Sequence, residues 1–220
     1  MKRALSSLSD SLKSCRALSA RASLLAMEQP TFLSGKLLLA MPGMADPRFD
    51  RAVIAMAMHD EQGAIGIGIG QLRAGLRFRQ LLKQLDVDPG TAPDCAVHHG
   101  GPVEPGRGFV LHSEDWGGQD TIQVVGHADG QDGPLYAMTG TIDVLKAIAG
   151  GRGPEHWLIA LGYAGWGAGQ LDQEMTRHGW FAAQGSAALL FDTPTAGRWD
   201  AAFRGEGIDA RLLVGETGVA

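Results

Sequence analysis

Arg51-Ala52-Val53-Ile54-Ala55-Met56-Ala57-Met58, then His59-Asp60-Glu61-Gln62-Gly63, then Ala64-Ile65-Gly66-Ile67-Gly68-Ile69, is the stretch on which the fold class turns. Two short apolar runs flank a polar break that ends in glycine, the pattern of a β-hairpin rather than of a strand feeding a crossover helix. In the second run Ile65, Ile67 and Ile69 alternate with Gly66, Gly68 and Gly70, so one strand face is bare. A bare face predicts that another backbone or a ligand comes close.

Working outward, Gly35 to Met41 reads as a short buried strand stopped by Pro42-Gly43, and Asp46-Pro47 offers an N-cap with proline at the first helical position. Downstream, Arg79–Leu85 reads as a helix, Phe109–His112 and Thr121–His127 as strands, and Asp143–Ala149 as a helix stopped by Gly150-Gly151. His156–Tyr163 is an apolar strand, Gln170–Arg177 a helix, Ala187–Phe191 a strand, Thr195–Phe203 a helix closed by Gly205, and Asp209–Val214 a final strand. Strands outnumber helices and follow one another directly, which predicts an α+β fold with a mixed sheet.

Composition sets the outer limits. The chain has 220 residues, 45% apolar and 20% charged, which fits one large domain and excludes wholesale disorder. No apolar run approaches the roughly 18 to 20 residues that cross a bilayer, so no membrane association is expected. Cys15 and Cys95 are too few for a disulfide framework. Of 19 Lys+Arg and 24 Asp+Glu, residues 1–26 hold five and one, which leaves 14 and 23 for residues 27–220. A body of net charge −9 repels phosphate backbones, so direct nucleic-acid binding is not expected. Residues 1–26, rich in Ser, Ala, Leu and Arg, end at a second methionine, Met27. They are read as a disordered extension or misassigned start in preference to an organellar address or an amphipathic helix, with residues 27–220 as a single domain.

Few segments suggest chemistry. Gly162-Tyr163-Ala164-Gly165-Trp166-Gly167-Ala168-Gly169 reads as a glycine-rich turn between a strand and a helix. Such a turn can cradle an anion, but this one lacks the Gly-Lys-Ser/Thr of a P-loop, and Asp172 and Glu174 follow where an anion would sit. A tight crossing that admits Trp166 to the core is the preferred reading. Gly66 to Gly70 lacks dinucleotide-fingerprint spacing. His98-His99-Gly100-Gly101-Pro102 reads as a turn, because adjacent histidines on an extended chain point to opposite faces. His59 and His112, each beside carboxylates, are the best metal candidates. Ser34, Ser113 and Ser186 lie in no nucleophile motif, and Cys95 near His98 reads as packing. No cofactor and no metal are expected.

Four runs, in order, then carry a resemblance. They are Leu38-Leu39-Ala40-Met41-Pro42-Gly43-Met44-Ala45-Asp46-Pro47-Arg48-Phe49; His59 with Gly63-Ala64-Ile65-Gly66; Gly100-Gly101-Pro102-Val103 with Arg107-Gly108-Phe109-Val110-Leu111-His112; and Gly162 to Glu174 with Trp180. Together the chain resembles the bacterial AlgH/YqgE family across Phe32 to Val214. The resemblance implies an α+β fold with a bifurcated, strongly bent mixed β-sheet forming a pseudo-barrel, helices packed outside, and a cytoplasmic protein, in some members labelled a transcriptional regulator. It supplies no catalytic residue. Where relatives continue the second hairpin strand into an Asn and often a Pro, this chain has Gly70-Gln71-Leu72, and a cysteine common before His59 is Ala57 here. The expectation is a non-enzymatic regulatory or adaptor protein with a protein partner or small ligand. The alternative is a small-anion or metal-binding enzyme using Gly162–Gly169 with His59 and His112. Motif position and local chemistry together single out His59, Gly101, Pro102, Arg107, His112, Gly165, Trp166, Gln170 and Glu174 as a functional surface.

Overall fold

In the computed structural model, residues 32–213 are described except 45, 119, 129, 130 and 178. The segment 1–26 lies outside them. Among the described residues ten strands run in chain order: β1 Lys36–Ala40, β2 Val53–Asp60, β3 Gly63–Gly68, β4 Leu72–Arg77, β5 Ala96–His99, β6 Val103–His112, β7 Thr121–Ala128, β8 Gln131–Thr139, β9 Trp157–Gly167 and β10 Trp180–Gln184. Four α-helices lie among the same residues: α1 Phe78–Gln84, α2 Ile142–Ala149, α3 Gln170–Thr176 and α4 Thr195–Gly205. The class is α+β, with a large, mostly antiparallel sheet and few helices.

The strand order is β10-β1-β2-β3-β9-β6-β8-β7, with β5 pairing both β4 and β9. The sheet branches at β9, whose residues 164–167 pair β3 while its residues 160–161 pair β5 in parallel and its residues 157–161 pair β6. The sheet does not close as the pseudo-barrel expectation requires. β10 pairs only β1 and β7 only β8, so among the described residues both ends are open.

The continuous apolar strands are explained by cover on both faces. Leu37 and Leu39 of β1, Val53 and Ala55 of β2, and Phe109 and Leu111 of β6 face a core with Trp199 and Phe203 of α4. Leu38, Ala40, Ile54 and Met56 face the other way, onto Trp166, Leu171 and Trp180. A third core packs Phe78 and Leu82 of α1 and Val144 and Ile148 of α2 against Val97, Val110 and Ile159.

The predicted hairpin is present as β2 and β3, paired from Ile54↔Gly68 to Asp60↔Gly63. Its bare face meets a backbone: a Cβ on Gly68 would lie 2.5 Å from the His99 carbonyl oxygen, and the Gly68 amide donates to the Gly100 carbonyl at 2.7 Å.

Several expectations are corrected. Gly162–Gly169 is not a turn up to its end, since β9 continues to Gly167 because its amides and carbonyls find β3 as a partner. His98-His99 closes β5 instead of forming a turn, paired to β9 at Ala160 and Leu161. Ala187–Phe191 is not a strand: Ala188–Asp192 forms one π-helical turn, in keeping with the helix preference of alanine and leucine. Ala210–Leu213 forms a 3₁₀ turn in place of the final strand, with the Asp209 carboxylate accepting from the Arg211 amide at 3.1 Å.

Candidate functional site

After β1 the chain turns at Pro47–Phe49. The Asp46 carboxylate caps this turn by accepting from the Arg48 amide at 3.0 Å, and it pairs with the Arg48 guanidinium at 2.6 Å. The Arg48 hydrogen bonds hold the Asp46 carboxyl below its ordinary pKa. This turn directs Phe49 edge-on to Trp180, with ring centroids 5.4 Å apart.

Opposite lies the segment Gly100-Gly101-Pro102, pinned between β3 and β9 by the Gly68 amide and by its own Gly100 amide, which donates to Leu161 at 2.9 Å. Gly101 has φ +150°, and a Cβ there would overlap the Tyr163 carbonyl, so only glycine brings Pro102 so close to β9.

The end of β9 and α3 form the floor. Strand alternation buries Ala164 and Trp166 and exposes Gly165 and Gly167. Gly169, at φ +68°, reverses the chain into α3. Gln170 then bridges the corner: its Oε1 accepts from the Gly167 amide at 3.1 Å, and its Nε2 donates to Glu174 Oε1 at 3.0 Å, a one-turn spacing on the helix. Glu174 Oε2 accepts both indole N–H groups, from Trp166 at 3.0 Å and from Trp180 at 2.8 Å. One carboxylate thus ties β9, α3 and β10 together.

These parts form a cleft of about 320 Å3 lined by Met44, Phe49, Pro102, Trp166 and Trp180, together with the charged Glu174 and Arg177. A recess of about 30 Å3, the size of one water, opens off it past Phe49, Pro102 and Ala164 toward Gly68, Gly100, Gly101 and His99. Six of the nine residues singled out from sequence meet here: Gly101, Pro102, Gly165, Trp166, Gln170 and Glu174.

The other three lie elsewhere. His59 is buried, its Nδ1 accepting from the Leu33 amide at 3.2 Å and its Nε2 standing 3.9 Å from Asp172. His112 is fully buried, with Nδ1 at 2.7 Å from the Ser113 carbonyl and Nε2 at 3.0 Å from Thr139 Oγ1; burial lowers its pKa. Arg107 is exposed, 3.4 Å from Glu104 and over the Phe109 ring at 5.1 Å.

His59 and His112 do not share a site. His59 pairs with Ala64, which pairs with Trp166 of β9, while His112 pairs with Trp157, nine residues earlier on that strand. At the strand rise this is roughly 30 Å. The glycine-rich turn on which the anion reading of Gly162–Gly169 rests is shorter than expected, because residues 163–167 run as strand in pairing with β6 and β3.

Phe49, Met44 and Trp180 were missed as site residues. The signal available was the polar Asp46-Pro47 cap, which forces Phe49 to turn, and the spacing that sets Trp180 six residues beyond Glu174.

The fold and cleft define an α+β domain of open, branched sheet with an aromatic-walled cleft on one face. The AlgH-like family model matches residues 37–211, and the chain belongs to that family. A UPF0301 protein of Novosphingobium aromaticivorans is 56% identical over 194 residues, covering 88% of this chain and all (100%) of the relative. One from Rhizorhabdus wittichii is 55% identical, with 88% and 100% covered. The solution structure of the AlgH protein from Pseudomonas aeruginosa matches with a TM-score of 0.67 at 40% identity, over 88% of this chain and 98% of that one. A crystal structure from Corynebacterium diphtheriae shares the fold at a TM-score of 0.61 and 20% identity, over 86% and 95%. Among the described residues, no helix is long and apolar enough to cross a membrane.

Proposed function

We propose that the protein is a cytoplasmic, non-enzymatic regulatory or adaptor protein that works through the cleft between Phe49, Pro102 and Glu174. The observation that carries this reading is the cleft itself: an open, mostly apolar and aromatic hollow into which six separately chosen residues converge. Its acid–base equipment is poor. Glu174 is occupied by three N–H donors and Asp46 by Arg48, while His59 and His112 are held in other parts of the fold. Regulation through a protein partner or small ligand, with no direct grip on nucleic acid, also suits a body of net charge −9. The anion or metal enzyme alternative has no observation in its favour, given the separation of His59 from His112.

The test is affinity capture with the full chain and with Pro102→Arg, which sets a long charged side chain in the mouth of the cleft. A partner or ligand retained by the natural chain and lost by the variant, with unchanged circular dichroism, supports the reading. Equal retention by both, or none by either, overturns it.

A further inference from the structure

Three rings wall the cleft in a connected edge-to-face chain. Phe49 meets Trp180 at 5.4 Å and 73°, and Trp180 meets Trp166 at 6.1 Å and 83°. Aromatic faces carry the negative part of the ring quadrupole and edges the positive part. Here the most positive edges, the two indole N–H groups, are both directed onto Glu174 Oε2. A hydrogen bond to an anion polarises the donor ring and enriches its π face. The walls therefore attract positive charge, and one cation already uses them: the Arg48 guanidinium carbon lies 6.0 Å from the Phe49 centroid.

Glu174 adds a point charge to the lining. Its Oε1 accepts the Gln170 amide at 3.0 Å, which leaves lone-pair capacity on that oxygen among the described residues. The other charges at the cleft are Asp46, paired with Arg48, and Arg177 in the lining. An anion entering would meet Glu174 as well as Arg177, and a neutral guest would gain packing on the rings, and a neutral hydrogen bond to Oε1 if it carries a donor, but neither the charge attraction of Glu174 nor the cation–π attraction of the ring faces. A volume of about 320 Å3 suits a small head group.

Resting on the reading of the cleft as the working surface, we propose that it binds an organic cation of the alkylammonium class, held against the Phe49 and Trp180 rings and beside Glu174 Oε1. The same chemistry is offered by a free quaternary ammonium solute and by a lysine side chain presented on a peptide.

The full chain is titrated with choline, with its neutral carbon isostere 3,3-dimethylbutan-1-ol, with inorganic phosphate and with N-acetyl-Ala-Lys-Ala amide, following the indole N–H signals of Trp166 and Trp180 by NMR. Choline or the lysine peptide is expected to shift both signals saturably and to bind at least tenfold more tightly than the isostere, with no response to phosphate. Tighter choline assigns the site to a free solute, and tighter peptide to a partner's basic side chain. Glu174→Gln should weaken the cation at least tenfold and leave the isostere unchanged, and Arg177→Gln should tighten it. Should Glu174→Gln fail to fold, Arg177→Gln and Phe49→Leu, which removes a wall, still decide the sign. Equal affinity for choline and the isostere, or no binding of either cation, overturns the proposal. The adaptor reading stands or falls separately, on capture by Pro102→Arg.

Discussion

Trp166 and Trp180, 14 positions apart in the chain, donate to the same carboxylate oxygen of Glu174, at 3.0 and 2.8 Å, with their rings edge to face. Both indoles are buried, at 8% and 5% exposure, so neither N–H has water as a ready substitute.

Glu174→Ala should therefore cost about 2–4 kcal/mol, since each buried donor left without an acceptor costs about 1–3 kcal/mol. Urea unfolding followed by tryptophan fluorescence measures it. A loss below about 0.5 kcal/mol would show that the indoles find other acceptors.

Gly101→Ala is expected to be far more damaging than Gly207→Ala. Both glycines have positive φ, +150° and +74°, but a Cβ on Gly101 overlaps the Tyr163 carbonyl and Ala164 amide, whereas Gly207 has nothing within 4 Å. The open site should lose about 1 kcal/mol from backbone strain alone. The closed one should lose at least twice that, seen in thermal melts as a drop of roughly 2–4 °C for each kcal/mol.

His98 gives the fold a pH dependence of defined sign. Burial first, then the Arg198 charge, lowers its pKa to about 4. Its Nδ1 faces the Ile159 carbonyl at 3.2 Å and so carries the proton, while Nε2 faces Thr195 Oγ1 at 3.2 Å and Arg198 at 3.4 Å. Between pH 6.5 and 4 the unfolded chain takes up a proton that the folded chain refuses, so stability falls as the pH drops through that window, by at most about 3 kcal/mol. His98→Gln should flatten this slope in urea titrations across the same range. An unchanged slope would sink the assignment.

Arg198 is 3% exposed, and among the described residues no carboxylate pairs with it. Its guanidinium donates to the carbonyls of Ile69, of Leu190 at 3.0 Å and of Thr193 at 2.9 Å, and burial lowers its pKa to about 10, still charged at neutral pH. Arg198→Lys should rescue little, because one ammonium does not reproduce a planar fork with several donors. Both Arg198→Lys and Arg198→Met are expected to accelerate amide exchange over residues 188–193 by tenfold or more. Protection equal to the natural chain in Arg198→Lys would contradict the fork argument.

The fold was legible in most of the apolar runs, though Ala187–Phe191, as apolar as any of them, forms a π-helical turn where a strand was expected. β1, the β2–β3 hairpin, α2, α4 and the first half of β9 all carry their burial in local pattern. β8 was not legible, because it opens on Gln131-Asp132-Gly133-Pro134, residues that are scarce in strands; Pro134 is tolerated opposite Val125, where the β7–β8 register shifts. β10 is a short strand of aromatic and small residues whose partner among the described residues, β1, lies over 140 positions earlier. At the cleft, the glycines and the positions of Gln170 and Glu174 were readable. The convergence of Trp166 and Trp180 on one oxygen was not, since it depends on pairings distant in sequence.

The branching at β9 also dictates an order of events during synthesis. Before Trp157 is made, the β1–β2–β3, β4–β5 and β6–β8–β7 ladders have no strand pairing with one another among the described residues. Unpaired edges of this kind invite association with other chains. A nascent chain stalled short of Trp157 thus presents the free borders of β3, β5 and β6 at the ribosomal exit, and a single later strand closes all three.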